Sequence, residues 1–344
     1  MAHHNRLAAT QFLIPVRGRG TIRPMPPPLD DILDRLHVVA LPMRVRFRGI
    51  TSRELALIDG PTGWGEFGAF LEYDNAEAAH WLAAALESAY RPPPAPRRHR
   101  IPINATVPAI TAAQVPDVLS RFPGARTAKV KVAEPGQTLA DDVARVEAVR
   151  DLVPTVRVDA NGGWTVDQAI EAASALTATG PLEYLEQPCA TVDELAELRH
   201  RIDVPIAADE SIRKADDPLQ VVRARAADVA VLKVAPLGGV SALLEIAAQI
   251  DIPVVVSSAL DSAVGIAAGL TAAAALPQLR HACGLGTGGL FVEDVADTVV
   301  PVDGCLPVGP VRPDPARLQA LAAPPERRQW WIDRVTACHR LLWR

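Results

Sequence analysis

"TAKVKVA", residues 127–133, alternates small or apolar residues with Lys129 and Lys131 and then runs into the turn-forming "EPGQT". That alternation has the period of a β-strand, in which residues two apart share a face. Two ammonium groups on one face either line a solvated surface or point into a site that needs positive charge. The neighbouring segments decide between these readings. Upstream lies "IPINATVPA" (101–109), and downstream come "TVRVDAN" (155–161), "EYLEQP" (183–188), "IAADES" (206–211), "VAVLKVA" (229–235), "PVVVSSAL" (253–260) and "HACGLGT" (281–287). Between them sit amphipathic or alanine-rich stretches that read as helices, several opening on a Thr or Asp N-cap with an acid three residues on, as in "TVDE" (191–194). Eight strands separated by seven helices predict an α/β fold, a (β/α)7β TIM-like barrel. A doubly wound sheet is the main alternative. The barrel is preferred because polar residues fall at the ends of many successive strands, whereas an open sheet concentrates its site at one switch point.

Working outward, "RPPPAPRRHR" (91–100) reads as a linker. Before it, "MRVRF" and "ELALI" flank Gly and Pro turns as in an antiparallel meander, and "NAEAAHWLAAALESAY" (75–90) has helical apolar spacing. Residues 30–100 are therefore expected to form an α+β capping domain and 101–300 the catalytic barrel. Residues 301–344, with "QWWIDRVTACHRLLW", need a partner surface and are expected to pack back on the cap. Residues 1–29 contain no acid and read as a disordered leader. Their apolar stretch "FLIPV" is too short for a secretory signal, and the arginines give only a superficial likeness to a transit peptide.

At 344 residues, 49% hydrophobic and 22% charged, the chain is long and apolar enough for a large core. A formal net charge of −5 with scattered Lys and Arg gives no footprint for nucleic acid or an anionic membrane. "GIAAGLTAAAAL" is too short to span a bilayer and reads as a packed helix. Cys189, Cys283, Cys305 and Cys338 lack metal-ligand spacing and read as free thiols, so the cytoplasm is the expected compartment. No oligomeric state follows from the sequence, and a monomer is compatible with it.

The strand ends, in order, carry Lys131, Asp159, Glu186, Asp209 and Lys233. The acids are 27 and 23 positions apart, about one strand-helix repeat each, so in a barrel they come from adjacent strands and converge. Three converging carboxylates repel one another unless a cation sits among them, and an oxygen-only set points to a hard ion, Mg²⁺ before Ca²⁺ or Mn²⁺. The lysines flank the acids in strand order and face each other across the mouth. Neighbouring positive charge pushes a lysine towards the neutral amine that can abstract a proton.

Each residue has a bland alternative. "DANGG" is a good turn without any metal, "EQP" simply ends a strand before proline, and Asp209 could cap a helix. Lys233 sits in an otherwise apolar run, where an unpartnered ammonium is costly. Five such residues at five strand ends are hard to obtain from solvation alone.

Together, "AKVKVAE", "VDANGGW", "LEQP", "ADES" and "LKVAPLGG" resemble the enolase superfamily, in its muconate lactonizing enzyme-like branch. The resemblance covers roughly residues 30 to 330. Within that branch, "FRGI", "GWGEFGAFLEY" and "SSALDSAVG" are similar to the actinobacterial dehydratases of menaquinone biosynthesis, which convert 2-succinyl-6-hydroxy-2,4-cyclohexadiene-1-carboxylate to 2-succinylbenzoate. The resemblance implies a small carboxylate substrate and Mg²⁺, with Mn²⁺ as a substitute, held by Asp159, Glu186 and Asp209 to stabilise an enediolate. It implies Lys131 as base and then acid, Lys129 as its tuning partner and Lys233 as a cation on the opposite face. Asn161, Ser257, Ser258 and Arg48 are implied substrate-binding candidates, with Asn161 orienting a ligand carboxylate and the serines meeting the succinyl tail. Ordinary strand-end hydroxyls explain the serines equally well. "GWGEFGAF" suits a lid, or a tight hairpin without function. Dipeptide epimerisation or N-succinylamino acid racemisation on the same site is the nearest rival reaction. A Schiff-base lyase and a non-catalytic carboxylate-binding barrel stand further off.

Overall fold

The structure, a computed structural model, describes residues 27–47, 49–213, 217–297 and 299–342. Nearly all of the expected leader, residues 1–26, lies outside them.

The N-terminal layer is a three-stranded antiparallel sheet, β1 (Leu36–Phe47), β2 (Ile50–Asp59) and β3 (Trp64–Phe67), as the alternating runs predict. The helix Asn75–Tyr90 lies across it, opened by Asp74, whose side chain accepts the Glu77 N–H at 2.9 Å. Its buried face carries Ala78, Trp81, Leu82, Ala85, Leu86 and Ala89, the three-to-four spacing of a helix with one apolar stripe. A Cβ on Gly65 would sit 2.0 Å from the Ala85 carbonyl oxygen, so glycine is what lets β3 approach the helix so closely. The C-terminal helix Pro325–Leu342 packs on the same layer through Trp331, Val335 and Cys338. The Trp331 ring meets Phe67 edge-on at 5.4 Å, and its indole N–H donates to Glu54 at 3.0 Å, so burying the tryptophan leaves no orphan donor.

The second unit begins with β4 (Arg100–Pro102), which pairs antiparallel with β12 (Cys305–Pro307). Seven parallel strands follow: β5 (Asn104–Val107), β6 (Thr127–Lys131), β7 (Thr155–Asp159), β8 (Leu185–Glu186), β9 (Ile206–Ala208), β10 (Val229–Lys233) and β11 (Val254–Ser257). Each pairs with its sequence neighbour and the order never reverses, which rules out the doubly wound alternative. Thr138, Thr165 and Thr191 each close a capping box at the start of an intervening helix.

The eighth strand, expected over 281–287, is reduced to two residues. The Cys283 N–H donates to Pro102 at 2.7 Å and its carbonyl accepts from Asn104 at 2.9 Å. Gly284 donates to Val256 at 2.9 Å and accepts from Ser258 at 3.0 Å. These single bridges join β5 to β11 and close the barrel. A Cβ on Gly284 would lie 2.3 Å from Ser257 Oγ, so the close approach demands glycine here. Among the described residues no helix is long and apolar enough to cross a membrane.

Candidate active site

On β6 the side chains alternate, so Lys129 and Lys131 both point into the barrel, as the period-two reading requires. Strand register sets their partners. Lys131 is level with Asp159 of β7, and Asp159 with Glu186 of β8. Asp209 follows β9 directly, and Lys233 ends β10 level with Ser257.

All three acids are buried, and their oxygens face ammonium groups. Lys129 Nζ lies 2.6 Å from Glu186 Oε1 and 3.1 Å from Asp159 Oδ2. Lys131 Nζ donates to Asp159 Oδ2 at 2.5 Å and to Asn161 Oδ1 at 2.6 Å. Lys233 Nζ donates to Asp209 Oδ2 at 2.6 Å, and Arg213 Nε to Asp209 Oδ1 at 3.0 Å. Burial alone would raise the Asp159 carboxyl, but Lys131 and Lys129 outweigh it and hold the group well below the usual range. For Asp209 burial is likewise outweighed, by Lys233 and Arg213, to about 2. Glu186 goes the other way, to about 7, from burial first and then the charge of Asp159. The two lysines of β6 also diverge. Burial lowers Lys131, while Glu186 and Asp159 overcome burial at Lys129 and raise it.

Among the described residues no three His, Cys, Asp or Glu side chains are grouped as a ready metal cage. The donor set nevertheless fits a hard divalent ion. Glu186 Oε2 is buried with no hydrogen-bond partner, and Glu186 is raised by the negative charge of both Asp159 and Asp209. An orphan oxygen among mutually repelling carboxylates is what a cation relieves.

Lys129, Lys131, Asp159, Asn161, Lys233, Ser257 and Ser258 line one small cavity that opens to solvent. Glu186 and Asp209 lie behind the lysines. The Asn161 side chain accepts from Lys131 at the edge of this cavity, and its backbone N–H donates to Asp159 Oδ1 at 3.1 Å. Ser258 Oγ sits 2.7 Å from Thr287 Oγ1 and 3.0 Å from the Gly284 oxygen. Arg48 lies outside the described residues.

Sequence reasoning passed over several wall residues. Thr106 of β5 and Thr287 line the cavity, as do Phe47 of β1 and Phe70. Lys131 Nζ stands 5.6 Å from the centre of the Phe47 ring. Thr106 was findable, because "INATV" alternates as "AKVKV" does. The two phenylalanines come from the N-terminal layer, Phe47 in "FRGI" and Phe70 in the stretch expected as a lid, but nothing local marks either as a wall of the barrel mouth. The stretch expected as a lid is closed-packed here, with Phe67 and Ala69 fully buried and Phe70 only 5% exposed.

The sequence matches the families described as Enolase N-terminal domain-like over residues 38–89 and Enolase C-terminal domain-like over residues 112–314. It is 79% identical over 316 residues to an o-succinylbenzoate synthase of Mycolicibacterium smegmatis, covering 92% of this chain and 98% of the relative. Among solved structures, muconate lactonizing enzyme from Pseudomonas fluorescens superposes with a TM-score of 0.70 at 22% identity, covering 84% of this chain and 98% of that one. N-succinyl Arg/Lys racemase from Bacillus cereus gives 0.69 at 18% identity, covering 84% and 96%. At such identities these two show the fold alone. The capped barrel and the identity to the mycobacterial relative together establish that the chain belongs to the enolase superfamily, in the family of the o-succinylbenzoate synthases.

Proposed function

We propose that this chain is a dehydratase converting 2-succinyl-6-hydroxy-2,4-cyclohexadiene-1-carboxylate to 2-succinylbenzoate in menaquinone biosynthesis, with Mg²⁺ or Mn²⁺ as its ion. One observation carries the reading. Lys131 and Lys233 enter a single cavity beside buried carboxylates, in a chain 79% identical to an o-succinylbenzoate synthase.

Asp159, Glu186 and Asp209 are the residues that would hold the ion. When bound, such an ion supplies Lewis-acid withdrawal of charge from a carboxylate. Lys131, lowered by burial, takes the proton from the ring carbon that bears the carboxylate. The electron pair of that C–H bond becomes the last ring double bond as the neighbouring C–OH bond breaks. Lys131 then returns the proton to the departing hydroxyl, so that water leaves and the ring becomes aromatic, with no oxidant required. Asp159 and Asn161 aim the amine. Lys129 stays charged beside it, and Lys233 presents a cation from the opposite strand. Ser257 and Ser258, with Arg48 from the cap, are the substrate-binding candidates. Phe47 and Phe70 keep water from the reacting face.

Charge supports this assignment. Counted as ionised, Asp159, Glu186, Asp209 and Glu210 balance Lys129, Lys131, Lys233 and Arg213, and a proton on Glu186, pushed up to about 7, keeps that balance when Lys131 is the neutral base. A divalent cation and a dianionic dicarboxylate entering together preserve that balance. We read residues 30–100 and 301–344 as the cap and 101–300 as the catalytic barrel. The free thiols, three of the four buried, suit a reducing compartment, and on that ground the enzyme is assigned to the cytoplasm.

The test is an assay of the purified protein with Mg²⁺ or with EDTA, offered the cyclohexadiene carboxylate and, separately, N-succinyl amino acids. Formation of 2-succinylbenzoate that stops with EDTA is expected. Racemisation of the N-succinyl amino acids without any dehydration would overturn the reading.

A further inference from the structure

Arg213 closes the short helix Glu210–Arg213 and is buried. Each arm of its guanidinium has a different partner. Nε donates to Asp209 Oδ1 at 3.0 Å, Nη2 to Glu210 Oε1 at 2.6 Å, and Nη1 to the Tyr73 hydroxyl at 2.9 Å. Two of these arms begin runs of hydrogen bonds that end on an amine in the cavity. Asp209 accepts Lys233 on its other oxygen at 2.6 Å. Glu210 Oε1 also accepts Asn161 Nδ2 at 3.2 Å, and Asn161 Oδ1 accepts Lys131 Nζ at 2.6 Å. The third arm reaches the segment that follows β3.

We infer that Arg213 is a positioning residue that fixes Lys131 and Lys233 relative to each other and ties both to the cap through Tyr73. The inference rests on the proposed roles of the two lysines. Arginine suits the task because its planar fork presents fixed N–H directions to three acceptors at once, which a lysine ammonium on a flexible stem does not. Asn161, at φ +49°, is held between Glu210 and Lys131, so a shift of Glu210 passes directly to the amine. Misplacing a reacting group by about 1 Å costs on the order of 100-fold in rate.

Steady-state rates of dehydration at saturating ion, Mn²⁺ binding by calorimetry and thermal midpoints would be measured for the wild type, Arg213→Gln, Arg213→Lys and Tyr73→Phe. For Arg213→Gln, kcat should fall about 100-fold, while KM and the Mn²⁺ dissociation constant stay within about threefold and Arg213→Lys restores little. A kcat within about threefold of wild type, or a loss that tracks Mn²⁺ affinity, would overturn the inference. Should both Arg213 variants fail to fold, Tyr73→Phe decides. It removes one hydroxyl and should lower kcat about fivefold with only a small fall in the midpoint; an unchanged kcat overturns the inference. A wild type inactive on the cyclohexadiene carboxylate would instead remove the proposed function and this inference with it.

Discussion

Two groups of three buried acids stand out among the described residues: in one, two of the three acids are held low, and in the other all three are raised. In the barrel mouth, Asp159, Glu186 and Asp209 have lysines against their oxygens. At the seam between cap and barrel, Glu66 of β3 meets Asp261 and Asp294 around the start of the helix Ala263–Ala275. There the hydrogen-bond partners are mostly backbone and hydroxyl, and the buried Arg53 guanidinium opposes the rise of Glu66 and Asp261 without overcoming it. Glu66 Oε2 accepts the N–H of Ser262 at 3.0 Å and of Gly265 at 3.1 Å, together with the Ser262 hydroxyl. Asp294 accepts Ala263 at 3.0 Å and Val295 at 2.7 Å. A helix N-terminus offers only partial positive charge. Burial, reinforced by Asp261, therefore pushes Glu66 up to about 8, whereas Asp209 in the mouth is brought down to about 2. Burial is shared by both groups. Lysines at contact distance hold Asp159 and Asp209 down, whereas Glu186, against Lys129 but beside Asp159, is raised as the seam acids are.

Removing a lysine from the mouth is the most severe way to break that contrast. Lys131→Ala is expected to lower kcat by about 10³- to 10⁴-fold, with the fold intact because Lys129 still lies 3.1 Å from Asp159. Turnover above a few per cent of wild type would take Lys131 out of the base role. Lys233→Arg keeps the charge against Asp209 but changes its shape, and should cost about 100-fold in rate. If ion affinity, followed by Mn²⁺ binding, falls by the same factor, Lys233 is a structural counter-ion rather than a participant.

How far the two groups were legible in the sequence differs for the same physical reason. The mouth residues sit on strand ends of a repeating unit, so the period of two and the repeat of some two dozen residues bring them together on paper. The seam group joins β3 to a helix almost two hundred residues later, and neither segment carries a mark of the other. Phe47, Phe70 and Tyr73 lie in "FRGI" and "GWGEFGAFLEY", stretches the resemblance singles out, but their contacts with the mouth could not be read there, for the same reason. Arg213 was within reach, since "ADESIRK" places Asp209, Glu210 and Arg213 at the three- and four-residue spacings of one helical turn. Barrel closure could not be read correctly, because "HACGLGT" has the composition of a strand end but pairs through Cys283 and Gly284 alone.

The seam can be probed without touching the mouth. Glu66 is protonated in the folded chain over a range in which it is ionised in the unfolded one. Wild-type stability should therefore fall as pH rises from about 4.5 to about 8. Glu66→Gln removes the ionisable group and should gain on wild type by about 1–3 kcal/mol across that window, read from urea midpoints at pH 5 and pH 8. A constant offset between the two proteins would mean that the carboxylate is ionised in the fold after all.

Asp294→Asn is the weakest and most discriminating case. Burial pushes Asp294 up to about 6, with its two backbone N–H donors opposing, so the window in which folding disfavours the charge runs only from about 3.8 to about 6. The amide retains one oxygen acceptor and gives up the other, so one of the bonds from Ala263 and Val295 is lost. That loss, about 1 kcal/mol, opposes the relief of the buried charge. At pH 7.5 the variant should be the more stable by about 1–2 kcal/mol, and at pH 4.5 the two should lie within about 1 kcal/mol of each other, because there the folded wild-type acid is already neutral. A relative shift with pH as large as that of Glu66→Gln would show that the N–H donors give Asp294 no protection, and the contrast between backbone and lysine partners would then have to be redrawn from burial alone.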